Sequence, residues 1–578
     1  MSSAAPDRPP IPNFTPHFKQ TRDYIDWKDW APTQRATFPE FRFAGKYWKV
    51  IWLLVPAMLL GVAMHVGSVW FLETDYGQQF VKLYPGTVSV PVVDAHGFPW
   101  WLRLQHLFNL VLMMLIMRSG VQILADHPRL HWTRNSTPGT EWFRFQIPVP
   151  MNRVWLAKDD AVTIPGWLGI PGGRHTVGPA RWLHFSFDLM WMVNGLIFVV
   201  LLFVSEQWQR LIPRTWDVVP NAISTLLQYS ALRMPLEDGW VRYNALQQLV
   251  YASVIFVAAP LAIISGLAQA PAIGNKFEKV SKYFNRQAAR SVHFLVLCYF
   301  SFYVAVHVTM VFATGFKKNF NHIVMNSPAD NWTGFLIGMA VMFGVAVLWA
   351  VASPLTAGHA REVQKAGAFL VGWIKALMEW WDPSVQYTEK DIAPFFWPNG
   401  KLPNCEEWLA LKANDFRDFK LQVFGLCENP QEISYDDIKA IGKQEQTTMQ
   451  YCIQGWSGVA KWGGIPMRRI LEIAKPKPEA KYVAFYSFGE GGEGGIFYDV
   501  HKVENMRHEL SMLAYEMNGQ PLPELYGRPL RLRCENELGF KQIKWVRGLE
   551  FVSDFKHLGA GQGGYNEDME FYGYRMPI

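Results

Sequence analysis

At 578 residues the chain exceeds one ordinary domain, and half of it is hydrophobic, 15% aromatic and only 18% charged, a membrane-protein balance. The net charge of +6 comes without a basic stripe interleaved with aromatics, which excludes nucleic acid as a partner. Five scattered cysteines (298, 405, 427, 452 and 534) contain no CxxC, which argues against a ferredoxin cluster, a zinc ribbon, covalently attached haem or a disulfide framework.

Residues 1–46 are polar and proline-bearing, with no n-region, h-region and cleavage site and no twin-arginine signal, so no export is expected. Six apolar runs then follow, each long enough to span a bilayer: Val50–Phe71, Leu104–Ala125, Trp182–Val204, Ala245–Ala268, Ser291–Thr314 and Phe335–Ala352. Residues 47–356 therefore read as a membrane domain. Lysine and arginine crowd the N-terminal segment (Arg35, Arg42, Lys46, Lys49), the loop between runs two and three, and the loop between runs four and five. The opposite loops are poor in them, except for a mixed vote after run three. This asymmetry predicts both termini in the cytoplasm of a bacterial inner (plasma) membrane.

Run five carries His293 and His307, fourteen residues apart. At about 100° and 1.5 Å per residue they share one helix face to within roughly 40° and stand roughly 21 Å apart along the axis. Ionisable groups at membrane depth ask for a function. Haem iron takes two imidazoles, and His106 and His184, at the starts of runs two and three, complete two pairs by depth. His184 with His293 makes an inner pair and His106 with His307 an outer one. Arg103, Arg181 and Arg290 each precede a histidine by three residues, on the same helix face, where they neutralise haem propionates or simply snorkel. His65 lacks a partner at its depth, and His96, His127, His131 and His175 fall in loops and read as solvated.

The stretches RLQHLFN (Arg103–Asn109), AKDDAVTIPGWLGIPGG (Ala157–Gly173) leading to RWLHF (Arg181–Phe185), and YNALQQLVYASVIFVAAPLAIISGLAQAP (Tyr243–Pro271) resemble the b-type cytochrome subunits of bacterial nickel–iron hydrogenases, formate dehydrogenases and thiosulfate reductases. The resemblance extends to the His293–His307 helix and covers about residues 100–315. It implies a four-helix core with two b haems on His106, His184, His293 and His307. Runs one and six are additions to it.

Residues 357–415 read as an interfacial helix (Glu362–Glu379) and a linker. From Phe416 to the end, strand-like segments at Lys420–Leu426, Lys481–Phe488, Pro529–Cys534 and Lys544–Phe555 alternate with helical stretches at Arg468–Ala474 and Asn505–Glu516, an α+β domain. Cys452 ends a strand (TTMQYC) before the turn Gly455–Gly458, a place that exposes its sulfur at the mouth of a sheet. The run Gly489–Gly495 (GEGGEGG) lacks the GK[ST] ending of a phosphate loop and reads as a loop near the substrate mouth.

The words YCIQGWSGVAKWGGIPMRRIL (Tyr451–Leu471), MNGQPLPELYGRPLRL (Met517–Leu532) and GFKQIKWVRGLEF (Gly539–Phe551) resemble the sulfite-oxidase-type molybdopterin domain over about residues 416–556. The resemblance implies that Cys452 ligates molybdenum and that Arg531, Lys541 and Lys544 lie around the pterin and its phosphate. The chain departs from sulfite oxidases proper at Gly455–Gly458, where arginines are expected. It also departs at Tyr526, where the family has histidine, and at Gln454, where the sulfoxide-reductase branch often has glutamate. Sulfite is therefore disfavoured.

The whole reads as an all-α membrane bundle followed by a soluble α+β molybdopterin domain. This reading implies electron exchange between a small oxyanion or an S- or N-oxide and the quinone pool through two haems. A second copy of the chain or a partner redox subunit fits the reading as well. One rival is a haem anchor whose soluble domain docks a partner enzyme without catalysis of its own, and another is a transporter-like unit with structural histidines.

Overall fold

The computed structural model describes residues 35–88, 97–169, 177–234, 240, 242–277, 281, 283–378, 387–491 and 495–574. All six apolar runs form helices long and apolar enough to cross a membrane: α1 Val50–Glu73, α2 Trp100–Asp126, α3 Val177–Val204, α4 Ala245–Leu267, α5 Arg286–Ala313 and α6 Trp332–Gly358. Helices α3 and α5 begin about a turn before their apolar runs, as does α2. Arg181 on α3, and Arg286 and Arg290 on α5, lie in these extra turns, whose residues are mostly buried against protein. Within α4 the residues Val254–Ala258 form a π-helical turn just ahead of Pro260, which has no N–H to give to the helix ladder.

Where α2 ends and α3 and α5 begin, four short strands form a sheet. They are β1 Glu40–Phe43, β2 Lys46–Lys49, β3 Arg129–Leu130 and β4 Phe143–Arg144, in the order β2-β1-β4-β3. Beneath it Arg129 is buried between Asp160 (2.8 Å) and Glu141 (3.0 Å). His127 and His131, expected to be solvated, are 1% and 0% exposed. His127 Nδ1 lies 3.3 Å from Asp160, its ring meets Trp397 edge-on, and His131 Nδ1 lies 3.1 Å from the Thr140 hydroxyl. The soluble domain covers this loop, which no single-chain polarity pattern announces. His96 and His175 fall outside the described residues. His65 Nδ1 lies 2.8 Å from the Ser230 carbonyl.

After α6, helix α7 (Ala360–Met378) packs on α3 and leaves Phe369, Trp373 and Leu377 exposed. Their spacing of four puts them on one stripe, as an interfacial helix requires.

The soluble domain holds two sheets of five strands. One runs β10-β9-β14-β5-β6, from Ile496–Lys502, Tyr482–Glu490, Val546–Val552, Lys420–Gly425 and Gln431–Ser434. The other runs β12-β11-β8-β7, from Gln520–Pro521, Met512–Met517, Ser457–Pro466 and Gln444–Tyr451, with β13 (Arg531–Arg533) paired to β11. Leu421, Val423, Ile465, Phe485, Leu513 and Phe551 belong to one buried core that spans both sheets. The helix expected over Asn505–Glu516 is a correction. Only Val503–Met506 is helical, and Met512–Met517 is the central strand β11, buried on both faces and so almost unbroken in apolar residues. Such a run has no helical or alternating period to read. Part of the glycine run, residues 492–494, lies outside the described residues.

The C-terminal segment returns to the membrane domain. Trp182 Nε1 donates to the Phe571 carbonyl (3.0 Å), Gln364 to that of Tyr572 (2.8 Å), and Arg361 to those of Glu567 (3.1 Å) and Asp568 (2.7 Å). Each such bond contributes on the order of 1 kcal/mol net. Together they fasten the soluble domain to α3 and α7.

Candidate molybdenum and haem centre

Strand β7 delivers Cys452 to a tight turn: Gly455 N donates to the Cys452 carbonyl (3.1 Å) and Cys452 N to that of Trp456 (3.0 Å). Gly455 has φ +111, and a Cβ there would lie 3.0 Å from Arg290 Cζ, so only glycine fits. Cys452 is 3% exposed, not open at the mouth of a sheet, because the membrane domain closes over the turn. Arg286 Nη2 donates to the Cys452 carbonyl (3.2 Å), and Gln287 Nε2 to the Gly455 carbonyl (2.9 Å) and the Ser457 hydroxyl (2.8 Å). Gln454 Nε2 donates to the Ala157 carbonyl at 3.3 Å. Burial pushes the Cys452 thiol up to about 12, with Asp126 and Glu570 adding to it and Arg286 opposing.

Seven residues after Arg286 on the same helix comes His293. Its ring faces that of His184 with centroids 6.3 Å apart, and further along, His307 faces His106, also at 6.3 Å. Two metal–nitrogen bonds of about 2.0 Å, each extended about 1.1 Å to a ring centre, put two imidazoles about 6.2 Å apart across one iron. Both pairs therefore have the spacing that bis-imidazole ligation needs. Sequence reasoning missed the groups that orient the inner pair: Ser119 Oγ lies 3.0 Å from His184 Nδ1, and Ser265 Oγ 3.0 Å from His293 Nδ1. Each serine precedes a glycine that makes room for the ring, Gly120 and Gly266. The signal was a Ser-Gly pair inside each of two apolar helices. Asp188, one turn beyond His184, has a carboxylate oxygen 3.5 Å from His184 Nε2.

The three arginines that precede histidines have different surroundings. Arg103 donates to the Val324 carbonyl (2.9 Å), and Arg290 to those of His127 (3.1 Å) and Arg129 (3.4 Å). Arg181 lies over the Phe185 ring, and its buried Nε has no hydrogen-bond partner.

Behind Cys452 a second cationic place is built from β13 and the segment before β14. Arg531 donates to Gln450 Oε1 (2.7 Å) and the Tyr526 carbonyl (3.1 Å), and its buried Nε has no partner. Lys544 donates to the carbonyls of Leu525 (2.8 Å) and Asn399. A Cβ at Gly527 would lie 3.1 Å from the Cβ of each, so the two side chains leave the backbone side by side. Burial and Arg531 hold Lys544 well below the usual lysine range, and burial and Arg533 bring Arg531 down to about 9. Two adjacent buried cations bonded to neutral groups suit an anionic cofactor group such as a phosphate. Lys541 is committed elsewhere. Its ammonium is buried against Asp499 and Glu567, and these carboxylates already balance its charge.

The model of the oxidoreductase molybdopterin-binding domain matches residues 409–558, and that of the prokaryotic cytochrome b561 matches residues 97–325. An uncharacterised oxidoreductase of Bacillus subtilis, YuiH, is 33% identical over 141 residues, which cover 24% of this chain and 68% of that protein. The chain belongs to the molybdopterin-binding oxidoreductases. In this oxidoreductase the molybdopterin domain is fused behind a cytochrome b membrane domain.

The catalytic subunit MsrP of a protein-methionine-sulfoxide reductase from Xanthomonas campestris is 33% identical over 153 residues, 25% of this chain and 48% of that protein. A protein of Azospira oryzae, YedZ1, provisionally named a subunit of such a reductase, is 29% identical over 157 residues, 27% of this chain and 55% of that protein. The chain thus spans about half the length of these two curated relatives. The solved sulfane dehydrogenase SoxCD of Paracoccus pantotrophus matches 24% of this chain and 39% of that one at 23% identity, with a TM-score of 0.22.

Proposed function

We propose that this oxidoreductase exchanges electrons between a small oxygen-bearing substrate at a molybdenum centre on Cys452 and the quinone pool, through two b haems held by His184–His293 and His106–His307. The observation that carries this reading is on α5: one helix holds His293 and, two turns earlier, Arg286 bonded to the Cys452 carbonyl. The Cys452 turn is thereby fastened to the helix that carries one imidazole of the inner pair, as short-range electron transfer demands. When bound, a molybdenum–pterin group supplies two-electron oxygen-atom chemistry.

The chain's own residues provide the rest. Arg531 and Lys544 hold the pterin's phosphate, and Lys541 with Asp499 and Glu567 ties the strands behind it together. Ser119 and Ser265 fix the inner imidazoles with Nε2 turned toward the iron. Arg103 and Arg181 would neutralise haem propionates at the two depths. Domain boundaries near residues 46, 356 and 415 suit this division of labour.

The soluble domain sits at the end of the bundle that carries Arg129, Arg134, Arg144 and Lys158, which supports a cytoplasmic placement in a bacterial inner membrane. A membrane-impermeant thiol reagent applied to intact cells carrying Glu428→Cys tests it, and labelling there refutes that placement. Cys452→Ser is expected to abolish substrate turnover while leaving both haems reducible. Retained turnover refutes the assignment of Cys452.

A further inference from the structure

Between Asp391 and Glu406 the linker forms neither helix nor strand, yet Ala393 is 7%, Phe396 6% and Trp397 1% exposed. What buries it is the cofactor place. The Phe396 ring meets Trp456 of the Cys452 turn edge-on at 5.8 Å, and Trp462 and Tyr526 at 5.6 and 5.8 Å. Trp462 lies under the guanidinium groups of Arg531 and Arg533, at 5.1 and 4.4 Å. The linker thus reaches from the thiol to the cations behind it. Tyr526, which stands where the family has histidine, donates its hydroxyl to the Phe396 carbonyl (2.7 Å), and Lys544 donates to that of Asn399. A Cβ at Gly458 would lie 3.3 Å from Phe396 Cδ2 and 3.7 Å from Ala393 Cβ, so the linker lies close against β8.

Every residue from Tyr451 to Ala460 is buried, as are Trp462 and Arg531. A molybdenum–pterin group is larger than a tryptophan side chain, so a wall has to move before one is seated beside them. The neighbouring walls are regular structure. Strands β7 and β8 are paired from Gln444–Gly464 to Tyr451–Ser457, and parting them breaks a whole row of backbone hydrogen bonds. On the membrane side Arg286 and Gln287 of α5 hold the carbonyls of the Cys452 turn. Residues 387–399 meet the soluble backbone at separate points instead: Tyr387 N donates to the Thr447 carbonyl and Ala393 N to that of Val459, both at 2.9 Å. The membrane domain holds them from the other side. Trp397 Nε1 donates to the Ser136 carbonyl (2.6 Å), Ala157 N to that of Pro398 (2.7 Å) and Asn135 Nδ2 to that of Asp391 (3.0 Å). Arg134 pairs with the Asp391 carboxylate at 3.0 Å.

We propose that residues 387–399 are the gate of the cofactor pocket, with Phe396 as its leaf and Tyr526 as its latch, and that the docked membrane domain keeps it shut. Filling the pocket then requires the seam to part at Arg134–Ser136 and Ala157, and the pocket is sealed when those contacts re-form. The membrane domain thereby retains the cofactor as well as carrying electrons. This inference rests on the molybdenum reading above and adds the route by which that centre is filled.

The test is a reversible cross-link in the full chain, purified in detergent from cells that make haem but no molybdopterin. Ala393→Cys with Gly458→Cys puts two Cβ atoms 3.7 Å apart, a separation that a disulfide spans. The probe is molybdopterin freshly released from a donor molybdoenzyme, with molybdate. Bound molybdenum, and pterin fluorescence after unfolding, are the readouts. The reduced double variant is expected to load as the unaltered chain does. Oxidised, it should load about tenfold more slowly or not at all, and dithiothreitol should restore it. The haem spectrum reports the fold in both states, and a thiol count reports the bond. Asn135→Ala gives an independent arm, since it removes the contacts of the closed gate to Asp391 (3.0 Å) and Val459 (3.1 Å). Once loaded, that variant should release pterin about tenfold faster than the unaltered chain, with its haem spectrum unchanged. Equal loading by the oxidised and reduced forms places the way in elsewhere and overturns the gate, leaving the redox reading intact. Unchanged release from Asn135→Ala does the same, as does a cysteine pair that forms no disulfide. A chain that takes up no molybdenum in either state overturns both.

Discussion

Ser265→Ala probes the inner imidazole pair without touching a ligand. The variant removes the 3.0 Å contact to His293 Nδ1, and Ser119→Ala removes its counterpart on His184. A buried neutral hydrogen bond contributes about 0.5–1.5 kcal/mol. Losing the outer partner of a metal-ligating histidine typically costs about 10–100-fold in affinity, or roughly 1.4–2.8 kcal/mol. The two ranges meet near 1.5 kcal/mol, so each single variant should weaken inner-haem retention about tenfold. Both serines act on ligands of one iron, so the double variant should lose the inner haem faster than either single variant. The assay is haem loss to an excess of apo-globin, followed in the reduced-minus-oxidised spectrum. The outer pair, His106 and His307, makes no such contact with a serine in the described structure. About half of the b-type band should therefore leave quickly and half should stay. Equal loss of both halves, or no loss in the double variant, refutes the assignment of the serines and of the inner pair.

Three further outcomes follow. Gly120→Ala places a Cβ 3.1 Å from His184 Cε1, so the ring must tilt and the inner-haem band should shift while the outer one does not. Lys541→Met leaves Asp499 and Glu567 buried without their cation and should cost about 3–5 kcal/mol in denaturant unfolding of the soluble domain. A loss under 1 kcal/mol contradicts the ion triad. Acid should loosen the seam in two stages. Burial holds His127 down to about 4, below the roughly 6.5 of an unfolded histidine, so its share of stability is complete above that value and is lost toward pH 4. Burial alone would raise Asp160, but Arg129 and His127 outweigh it and hold the carboxyl below its usual range. Its share is present above about 3.9 and is lost as pH falls further. Asp160→Asn should abolish the second stage, which circular dichroism against pH can follow.

The six spans could be read from apolar length alone, because lipid forces each helix to carry its own hydrogen bonds and an apolar surface. The two imidazole pairs could be read from depth, since a ligand's height along a helix follows from residue count. Polarity at the seam could not be read. His127 and His131 look like loop histidines, and the first turns of α3 and α5 look like headgroup anchors, until a second domain covers them. The burial of Cys452 was hidden for the same reason: the residues that close over it, Arg286 and Gln287, are more than 160 positions away. Strand β11 was misread because a strand buried on both faces has no period of its own.

The central claim joins a thiol-bound metal to iron in the membrane. It is tested most directly by measuring molybdenum and haem iron on one preparation of the intact chain, together with its redox-difference spectrum. The account predicts about one molybdenum and about two b-type haems per chain, with Cys452→Ser losing the first and keeping the second. A colourless chain, or a coloured one with no molybdenum, contradicts it.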